Sequence, residues 1–236
     1  MLKAYKLTKI FCDIADIKLI RKFNKKQLVK GFTTNPSLMR KAGAKDYSIY
    51  SKKIIKITQK PLSLEVFADN IDDMIAQGKM INNWGKNIYV KVPIINSKNK
   101  FTGKVIKELN SKNIKLNITA VYTAKQTEKI LGVINKKTKV IISIFAGRAG
   151  DTGKDPLPEI IKSIRLAKKF KNVEILWASV REPYNYLQAK QLGCHIITIP
   201  PSIIEKIENF GKSFNQLTQE TVKTFLVDSK KSNFKI

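Results

Sequence analysis

Eight short apolar runs, spaced about 20–35 residues apart, constrain the fold of this chain more than any other feature. The runs are rich in Val, Ile and Phe, and they are nearly continuous rather than alternating. Runs of this kind are typical of parallel strands that are buried on both faces. They cover residues 9–13, 28–33, 62–67, 88–92, 114–119, 139–145, 173–179 and 195–199.

Segments with helical spacing of apolar residues lie between these runs, at 46–56, 102–109, 124–134, 157–169 and 183–192. Strands and helices in regular alternation over 236 residues predict a single-domain (β/α)8 TIM barrel covering 1–236. A helix at 218–228 and a polar end at 229–236 would form a C-terminal tail, and the end would be mobile or reach a neighbouring subunit. An open doubly wound sheet is the alternative, although no GxGxxG or Walker A string supports its nucleotide-binding versions.

The formal net charge of +27 suggests a nucleic-acid or membrane-surface partner at first sight. However, only five of the 45 cationic residues are Arg, and the lysines are scattered along the chain without a nucleic-acid-binding motif. The chain is also rich in Lys, Ile and Asn, whose codons are rich in A and T. We therefore expect neither a nucleic-acid nor a membrane partner, and we attribute most of the charge to composition.

The scarcity of Cys and His excludes several kinds of site. Cys12 and Cys194 form no CxxC pair, and two free thiols favour a cytoplasmic location. With His195 as the single histidine, a metal site built from several histidines is excluded. We expect these three residues in the core or at strand edges. Charged residues interrupt the first twenty positions, so we expect no signal peptide, and no apolar stretch of about 18 residues predicts a membrane span.

Polar side chains follow or end the predicted strands, where the chemistry of barrel enzymes takes place. The set contains one lysine, two carboxylates and two of the five arginines. The candidates are Asp13, Thr33, Asn35, Glu65, Lys91, Asn117, Thr119, Arg148, Ser179 and Arg181, together with Phe145 in the sixth strand.

Lys91 stands between Val90 and Val92, which would bury its side chain. Burial disfavours the ammonium form and leaves a nucleophilic amine, although Lys91 could also be one of many solvated lysines. Asp13 and Glu65 could be structural carboxylates that cap loops. The two arginines, close to Gly or Ser, suit a phosphate clamp but could also be paired surface cations.

Six motifs resemble those of the transaldolase family, in the same order. They are GFTTNPS at 31–37, YVKVP at 89–93, LNITAVY at 116–122, ISIFAGR at 142–148, WASVR at 177–181 and GCHIIT at 193–198. The similarity extends from about residue 9 to about residue 225. The chain looks like a small bacterial-type transaldolase, a group that also includes the fructose-6-phosphate aldolases.

This resemblance implies a Schiff-base mechanism. Lys91 would form an imine with the C2 carbonyl of a ketose phosphate, and Asp13 would be the acid and base for C3–C4 cleavage. Glu65 and Thr119 would hold the water of imine formation. A dihydroxyacetone unit would pass from sedoheptulose 7-phosphate to glyceraldehyde 3-phosphate, giving erythrose 4-phosphate and fructose 6-phosphate in the pentose phosphate pathway. Sugar phosphates would be the partners, with no metal or other cofactor.

The resemblance also assigns substrate contacts. Asn35 and Asn117 would orient the Schiff base and the sugar hydroxyls, and Thr33 and Phe145 would line the substrate site. The phosphate would be bound by Arg148, Ser179 and Arg181. The family further implies a homo-oligomer, a pentamer or decamer, in which the C-terminal helix packs on a neighbour.

Two positions separate the transferases from the aldolases of this family. The transferases carry Glu and Phe where the aldolases carry Gln and Tyr, and this sequence has Glu65 and Phe145. Transaldolase is therefore favoured. The sequence departs from the family pattern at 94–101, at Ile144 and at Gly150. An alternative is thus an enzyme like fructose-6-phosphate aldolase, or another phosphosugar aldolase, in surface-sugar synthesis.

Overall fold

Eight parallel strands close into a barrel, which confirms the predicted fold class. The structure is a computed structural model and describes residues 8–235, so residues 1–7 and 236 of the predicted domain lie outside the described residues. The last strand pairs with the first, which excludes the open sheet. The strands are β1 (Lys9–Asp13), β2 (Val29–Thr33), β3 (Leu62–Glu65), β4 (Ile88–Pro93), β5 (Leu116–Val121), β6 (Val140–Phe145), β7 (Val173–Ala178) and β8 (Ile196–Ile199).

Helices follow every strand, and two helices follow each of β2, β6 and β8. All five helices predicted between the strands are present, although their ends differ. Within residues 8–235 the helices are α1 (Ile17–Asn24), α2 (Pro36–Lys41), α3 (Tyr47–Ile55), α4 (Ile71–Asn82), α5 (Gly103–Ser111), α6 (Ala124–Leu131), α7 (Ala146–Gly150), α8 (Leu157–Ala167), α9 (Tyr184–Leu192), α10 (Pro201–Glu208) and α11 (Phe214–Lys231).

The largest error in a predicted strand concerns β5. It begins at Leu116 rather than at residue 114, and it continues past Thr119 to Val121. Ala120 adopts a left-handed φ of 58°, and the pairing with β6 shifts register between Ile118 and Val121. After this bulge Val121 pairs with Ile144, so the strand continues past Thr119.

The C-terminal helix is longer than predicted. α11 begins at Phe214 rather than at residue 218, because Ser213 and Gln216 form a capping box at its start. It ends at Lys231, so the first residues of the expected polar end are helical. No residue of α11 is buried, and Phe214 and Phe225 are 88 % and 67 % exposed.

The inside of the barrel is filled by large side chains, including Phe11, Tyr89, Ile141 and Leu176. Gly31 leaves the space that the ring of Phe11 occupies, since a Cβ on Gly31 would lie 2.6 Å from that ring. Close packing here means that the barrel is a solid core rather than a pore.

A second apolar layer lies between the strands and the helices. In α5, for example, Val105, Ile106 and Leu109 are fully buried against the sheet. Burial of each such side chain stabilises the fold by about 1.5–3 kcal/mol. Because both faces of each strand are covered, the apolar runs of the sequence are nearly continuous. Within residues 8–235, no helix is both long and apolar enough to cross a membrane.

Candidate active site

All eleven side chains selected from the sequence line one cavity of about 660 Å³ at the C-terminal end of the barrel. The parallel strands bring them together, because their carboxyl ends all meet at this face. The residues are Asp13, Thr33, Asn35, Glu65, Lys91, Asn117, Thr119, Phe145, Arg148, Ser179 and Arg181.

Lys91 lies inside the barrel and is only 6 % exposed, the lowest exposure of any charged residue within 8–235. Its Nζ lies 3.0 Å from Oε2 of Glu65 and donates a hydrogen bond to the carbonyl oxygen of Thr34 at 3.1 Å. Glu65 and Lys91 are register partners on β3 and β4. Lys91 is therefore not a solvated surface lysine, which was the alternative interpretation of the sequence.

Tyr47 supports the end of β3. Its hydroxyl oxygen accepts a hydrogen bond from the backbone N–H of Glu65 at 2.8 Å. Burial raises the pKa of the Tyr47 hydroxyl above its usual range, so Tyr47 stays neutral. Tyr47 therefore adds no charge beside Glu65 and Lys91.

Asp13 is held at the end of β1 by a chain of hydroxyl groups. Thr33 Oγ1 donates to Asp13 Oδ1 at 2.7 Å and lies 2.5 Å from Thr198 Oγ1. Because the one proton of Thr33 goes to Asp13, Thr198 donates to Thr33. Burial raises the pKa of the Asp13 carboxyl, although the charge of Lys91 and the hydrogen bond from Thr33 oppose the shift. Asp13 is thus suited to exchange a proton closer to neutral pH.

Asn117 is fixed beside Lys91, its register partner across β4 and β5. Its Oδ1 accepts from Ser143 Oγ at 2.6 Å, and its Nδ2 donates to Ser63 Oγ at 2.9 Å. The amide is fully buried and satisfied on both atoms, so its orientation toward the cavity is determined by the protein.

Thr119 has a buried hydroxyl oxygen with no hydrogen-bond partner in the protein. It lines the cavity next to Ala120, the residue with left-handed φ at the bulge of β5. Strained backbone of this kind concentrates at functional sites. A bound water or a substrate hydroxyl would satisfy the hydroxyl of Thr119.

Asn35 has two tasks. Its Oδ1 accepts a hydrogen bond from the backbone N–H of Leu38 at 2.9 Å and caps α2. The carbonyl oxygen is therefore committed to the helix, and only the Nδ2 group can meet a ligand in the cavity.

Arg148 and Arg181 lie at the exposed rim of the cavity. The Arg148 guanidinium lies 5.5 Å from the ring centre of Phe145, and that ring packs against Tyr122. Gly147 has no side chain where the carbonyl oxygen of Ser179 approaches, because a Cβ there would lie 1.6 Å from that oxygen. Ser179 itself adopts a left-handed φ of 64°. This close contact holds the two arginine-bearing loops together.

Asp151 is a partner of Arg181 that the sequence did not reveal. The carboxylate binds the guanidinium through two atoms, with Oδ1 3.0 Å from Nε and Oδ2 2.5 Å from Nη2. The pKa of the Asp151 carboxyl is lowered by the hydrogen bonds from Arg181 and by its charge. Gly150, at which the sequence departs from the pattern that it resembles, directly precedes this carboxylate.

Further cavity residues were also missed, among them Lys41, Ser143 and Thr198. Ser143 and Thr198 are single polar residues within apolar strands, a pattern that could have identified them. Lys41 lies on the short helix α2, and no pattern in the surrounding sequence distinguishes it from the other lysines.

The thiols and the histidine lie outside the cavity. Burial raises the pKa of Cys194 to about 12, and that of Cys12 is raised even further by burial and by Asp13. His195 precedes β8 at the opposite end of the barrel, where its Nδ1 accepts from the backbone N–H of Ile175 at 3.0 Å. Within residues 8–235, no group of three or more His, Cys, Asp or Glu side chains could hold a metal ion.

Comparisons with known proteins agree with the motifs. The family model described as transaldolase/fructose-6-phosphate aldolase matches residues 10–236. A curated protein of Herpetosiphon aurantiacus named "Probable transaldolase" is 34 % identical over 93 % of this chain and 94 % of its own length. Another of the same name, from Nitrosopumilus maritimus, is 35 % identical over 90 % of this chain and 97 % of its own.

Among solved structures, N-acetylneuraminate lyase from Mycoplasma synoviae superposes with a TM-score of 0.53 at 13 % identity. The match covers 82 % of this chain and 69 % of that chain. At this identity the likeness concerns the barrel fold alone.

Proposed function

The chain belongs to the transaldolase/fructose-6-phosphate aldolase family, and we propose that it is a transaldolase that forms a Schiff base with its substrate. The proposed reaction moves a dihydroxyacetone unit from sedoheptulose 7-phosphate to glyceraldehyde 3-phosphate, giving erythrose 4-phosphate and fructose 6-phosphate. The observation that carries the proposal is the buried lysine, Lys91, at 3.0 Å from the carboxylate of Glu65.

Imine formation requires a neutral amine. Glu65 Oε2 is within hydrogen-bond distance of Lys91 Nζ and accepts the ammonium proton. The amine then attacks the C2 carbonyl of the ketose phosphate, and the carbonyl oxygen leaves as water when the iminium forms. Thr119 and Glu65 hold this water, which the unsatisfied hydroxyl of Thr119 supports.

Cleavage follows at the C3–C4 bond. Asp13 takes the proton of the C4 hydroxyl, the bond electrons pass to the iminium, and an aldose phosphate leaves. A dihydroxyacetone enamine stays on Lys91. Its attack on the second aldose phosphate is the reverse step, in which Asp13 returns its proton to the new hydroxyl. The raised pKa of Asp13 suits this exchange.

The remaining polar side chains hold the sugar phosphate. Asn117 and the Nδ2 group of Asn35 orient the sugar hydroxyls and the Schiff base, and Thr33 positions Asp13. The phosphate binds to Arg148 and Arg181 with the hydroxyl of Ser179, at the rim of the cavity.

Transfer rather than release depends on the survival of the enamine. The ring of Phe145 lines the cavity and has no hydroxyl to assist protonation of the enamine. The enamine therefore persists until an acceptor arrives. This supports the transaldolase over an aldolase that releases free dihydroxyacetone.

A coupled assay tests the proposal. With sedoheptulose 7-phosphate as donor and glyceraldehyde 3-phosphate as acceptor, transfer is expected to exceed dihydroxyacetone release by about 100-fold or more, the lower end of a general-acid effect. If the ketose phosphate is consumed at the same rate with and without the acceptor, the enzyme is an aldolase instead. If neither sugar phosphate is turned over, the proposed substrates are wrong and the enzyme acts on another phosphosugar. Lys107→Ala, at an exposed position on α5, is the control and should keep full activity.

The exposed apolar residues of α11 support assembly of identical subunits. Phe214, Val222 and Phe225 are between 59 % and 88 % exposed, a set that a monomer rarely leaves in water. We propose that α11 packs on a neighbour in a pentamer or decamer. Phe225→Ser is expected to reduce the sedimentation coefficient, whereas Thr218→Ser on the same helix should leave it unchanged.

We also propose that the chain forms one domain and works in the cytoplasm. Closure of all eight strands in one barrel supports the first statement. The two unpaired, buried thiols, Cys12 and Cys194, support a reducing compartment.

A further inference from the structure

Lysine side chains gather at the end of the barrel opposite the candidate active site. Seven of the eight strands have a lysine at, or within two residues of, their first residue, and His195 precedes the eighth. Lys9 opens β1, for example, and Lys139 precedes β6. Because the strands are parallel, all these residues lie at one face. Lysines that are scattered in the sequence are thus concentrated in space.

A depression of about 830 Å³ opens in this face, near the starts of β1, β6, β7 and β8. Six lysines line it, and they come from three separate segments of the chain. Glu174 is its single carboxylate, and Oε1 of Glu174 already lies 2.6 Å from Nζ of Lys9. The lysines are Lys9, Lys136, Lys137, Lys139, Lys168 and Lys171.

Neighbouring lysines on this face disfavour one another's charge. Burial lowers the pKa of Lys115, and the positive charge of Lys139 lowers it further. Lys60 is shifted in the same direction by burial and by the charge of Lys30. Of these four lysines only Lys139 lines the depression, where a bound anion would offset the repulsion that it exerts.

We propose that the depression binds an anion made of several linked phosphate groups. Lysine ammonium groups bind phosphate as point charges, and here lysines from three separate segments line one depression. This site shares no residue with the candidate active site, so the proposal does not rest on the proposed reaction.

The residues around the depression favour a phosphate chain over a nucleic acid. None of the five arginines lines it. Phe170 is the one Phe, Tyr or Trp residue that lines it, and Lys136 Nζ lies 5.8 Å from the centre of that ring. A cation therefore stands over one face of this ring, whereas single-stranded nucleic acids bind to open aromatic faces on which bases stack.

Calorimetric titration with inorganic tripolyphosphate at low salt tests the proposal on the full chain. The test variant is K137Q/K139Q/K171Q, and the control is K53Q/K107Q/K125Q, which removes the same charge from exposed positions elsewhere. All titrations are also run with R148A/R181A, to remove phosphate binding in the active site. We expect the test variant to bind roughly tenfold more weakly, about twofold per lysine, and the control to change less than twofold.

Three results would overturn the proposal. Equal weakening in both triple variants would mean that the charge acts diffusely. Loss of all binding with R148A/R181A would place tripolyphosphate in the active site. Binding of a single-stranded oligonucleotide or of anionic phospholipid vesicles through the three test lysines, without tripolyphosphate binding, would assign the face to another partner. Sugar-transfer activity is expected to stay at the wild-type level in both triple variants, which separates this test from that of the reaction.

Discussion

Lys91 and Glu65 face each other on adjacent strands, with their Cα atoms in register and Nζ 3.0 Å from Oε2. Both side chains are largely withdrawn from water, so neither charge is well solvated without the other. A proton passed between two such groups leaves a neutral amine beside a neutral acid. The strand register thus places a nucleophile and its base together before any substrate binds.

Phe145→Tyr is expected to shift the enzyme from transfer toward release. A phenol at this position can assist protonation of the enamine, and general-acid assistance is worth tenfold or more. Dihydroxyacetone release from fructose 6-phosphate, measured against transfer to erythrose 4-phosphate, checks the shift. Phe101→Tyr, outside the cavity, is the control. If the ratio of release to transfer is unchanged in Phe145→Tyr, the residue at position 145 does not decide between transferase and aldolase.

Asp13→Asn is expected to stabilise the fold at neutral pH. Burial raises the pKa of Asp13, so its contribution to stability is complete below the pKa of an unfolded aspartate and is lost as the pH rises through the folded value. The neutral amide avoids this loss. The Tm should therefore rise at pH 8, by about 2–4 °C for each 1 kcal/mol relieved, and the gain should disappear near pH 4.

Glu128→Gln, at an exposed carboxylate on α6, controls for the change in net charge. A gain in Tm that grows toward acid pH in Asp13→Asn would contradict the direction of the shift. Thermal melts at several pH values, followed by circular dichroism, provide the comparison.

Arg181→Ala is expected to weaken the binding of phosphorylated sugars. A hydrogen bond to a charged group contributes about 1.5–3 kcal/mol, so KM for fructose 6-phosphate should rise roughly 10- to 100-fold. The kcat/KM for unphosphorylated fructose should not change. Arg165→Ala, at an exposed position on α8, is the matched control. A similar loss with both sugars would mean that Arg181 supports the fold through Asp151 rather than binding phosphate.

Gly147→Ala is expected to destabilise the protein, whereas Gly150→Ala on the same short helix is not. A Cβ on Gly147 would lie 1.6 Å from the carbonyl oxygen of Ser179, while a Cβ on Gly150 meets nothing within 4 Å. Overpacking against backbone costs about 1–3 kcal/mol, and Gly→Ala in an open helical position stabilises by up to about 1 kcal/mol. Urea unfolding of the two variants measures the difference. Equal midpoints would show that the two loops separate at little cost.

The sequence predicted the barrel because its strands are buried on both faces, which makes each strand visible as an apolar run. It also predicted eleven of the residues that line the cavity, since the carboxyl ends of parallel strands meet at one face. Strand β5 was misplaced because the bulge at Ala120 is a backbone feature without a side-chain pattern. The start of α11 was missed although Ser213 and Gln216 carry a recognisable capping box.

Contacts between distant loops could not be predicted. Asp151 and Arg181 are 30 residues apart, and the local sequence around neither residue predicts their contact. The same is true of the lysines at the N-terminal face, which lie at or near the starts of seven different strands. Their spacing in the sequence resembles random scatter, and only closure of the barrel brings them together.

Borohydride reduction in the presence of fructose 6-phosphate, followed by mass mapping of peptides, tests the assignment of Lys91 most directly. Reduction of the imine leaves a stable adduct on the amine that formed it. We expect one adduct, on the peptide that contains Lys91, and none in Lys91→Ala, whose fold is checked by circular dichroism. An adduct on another lysine, or no adduct in the wild-type protein with its substrate, would contradict the Schiff-base role of Lys91.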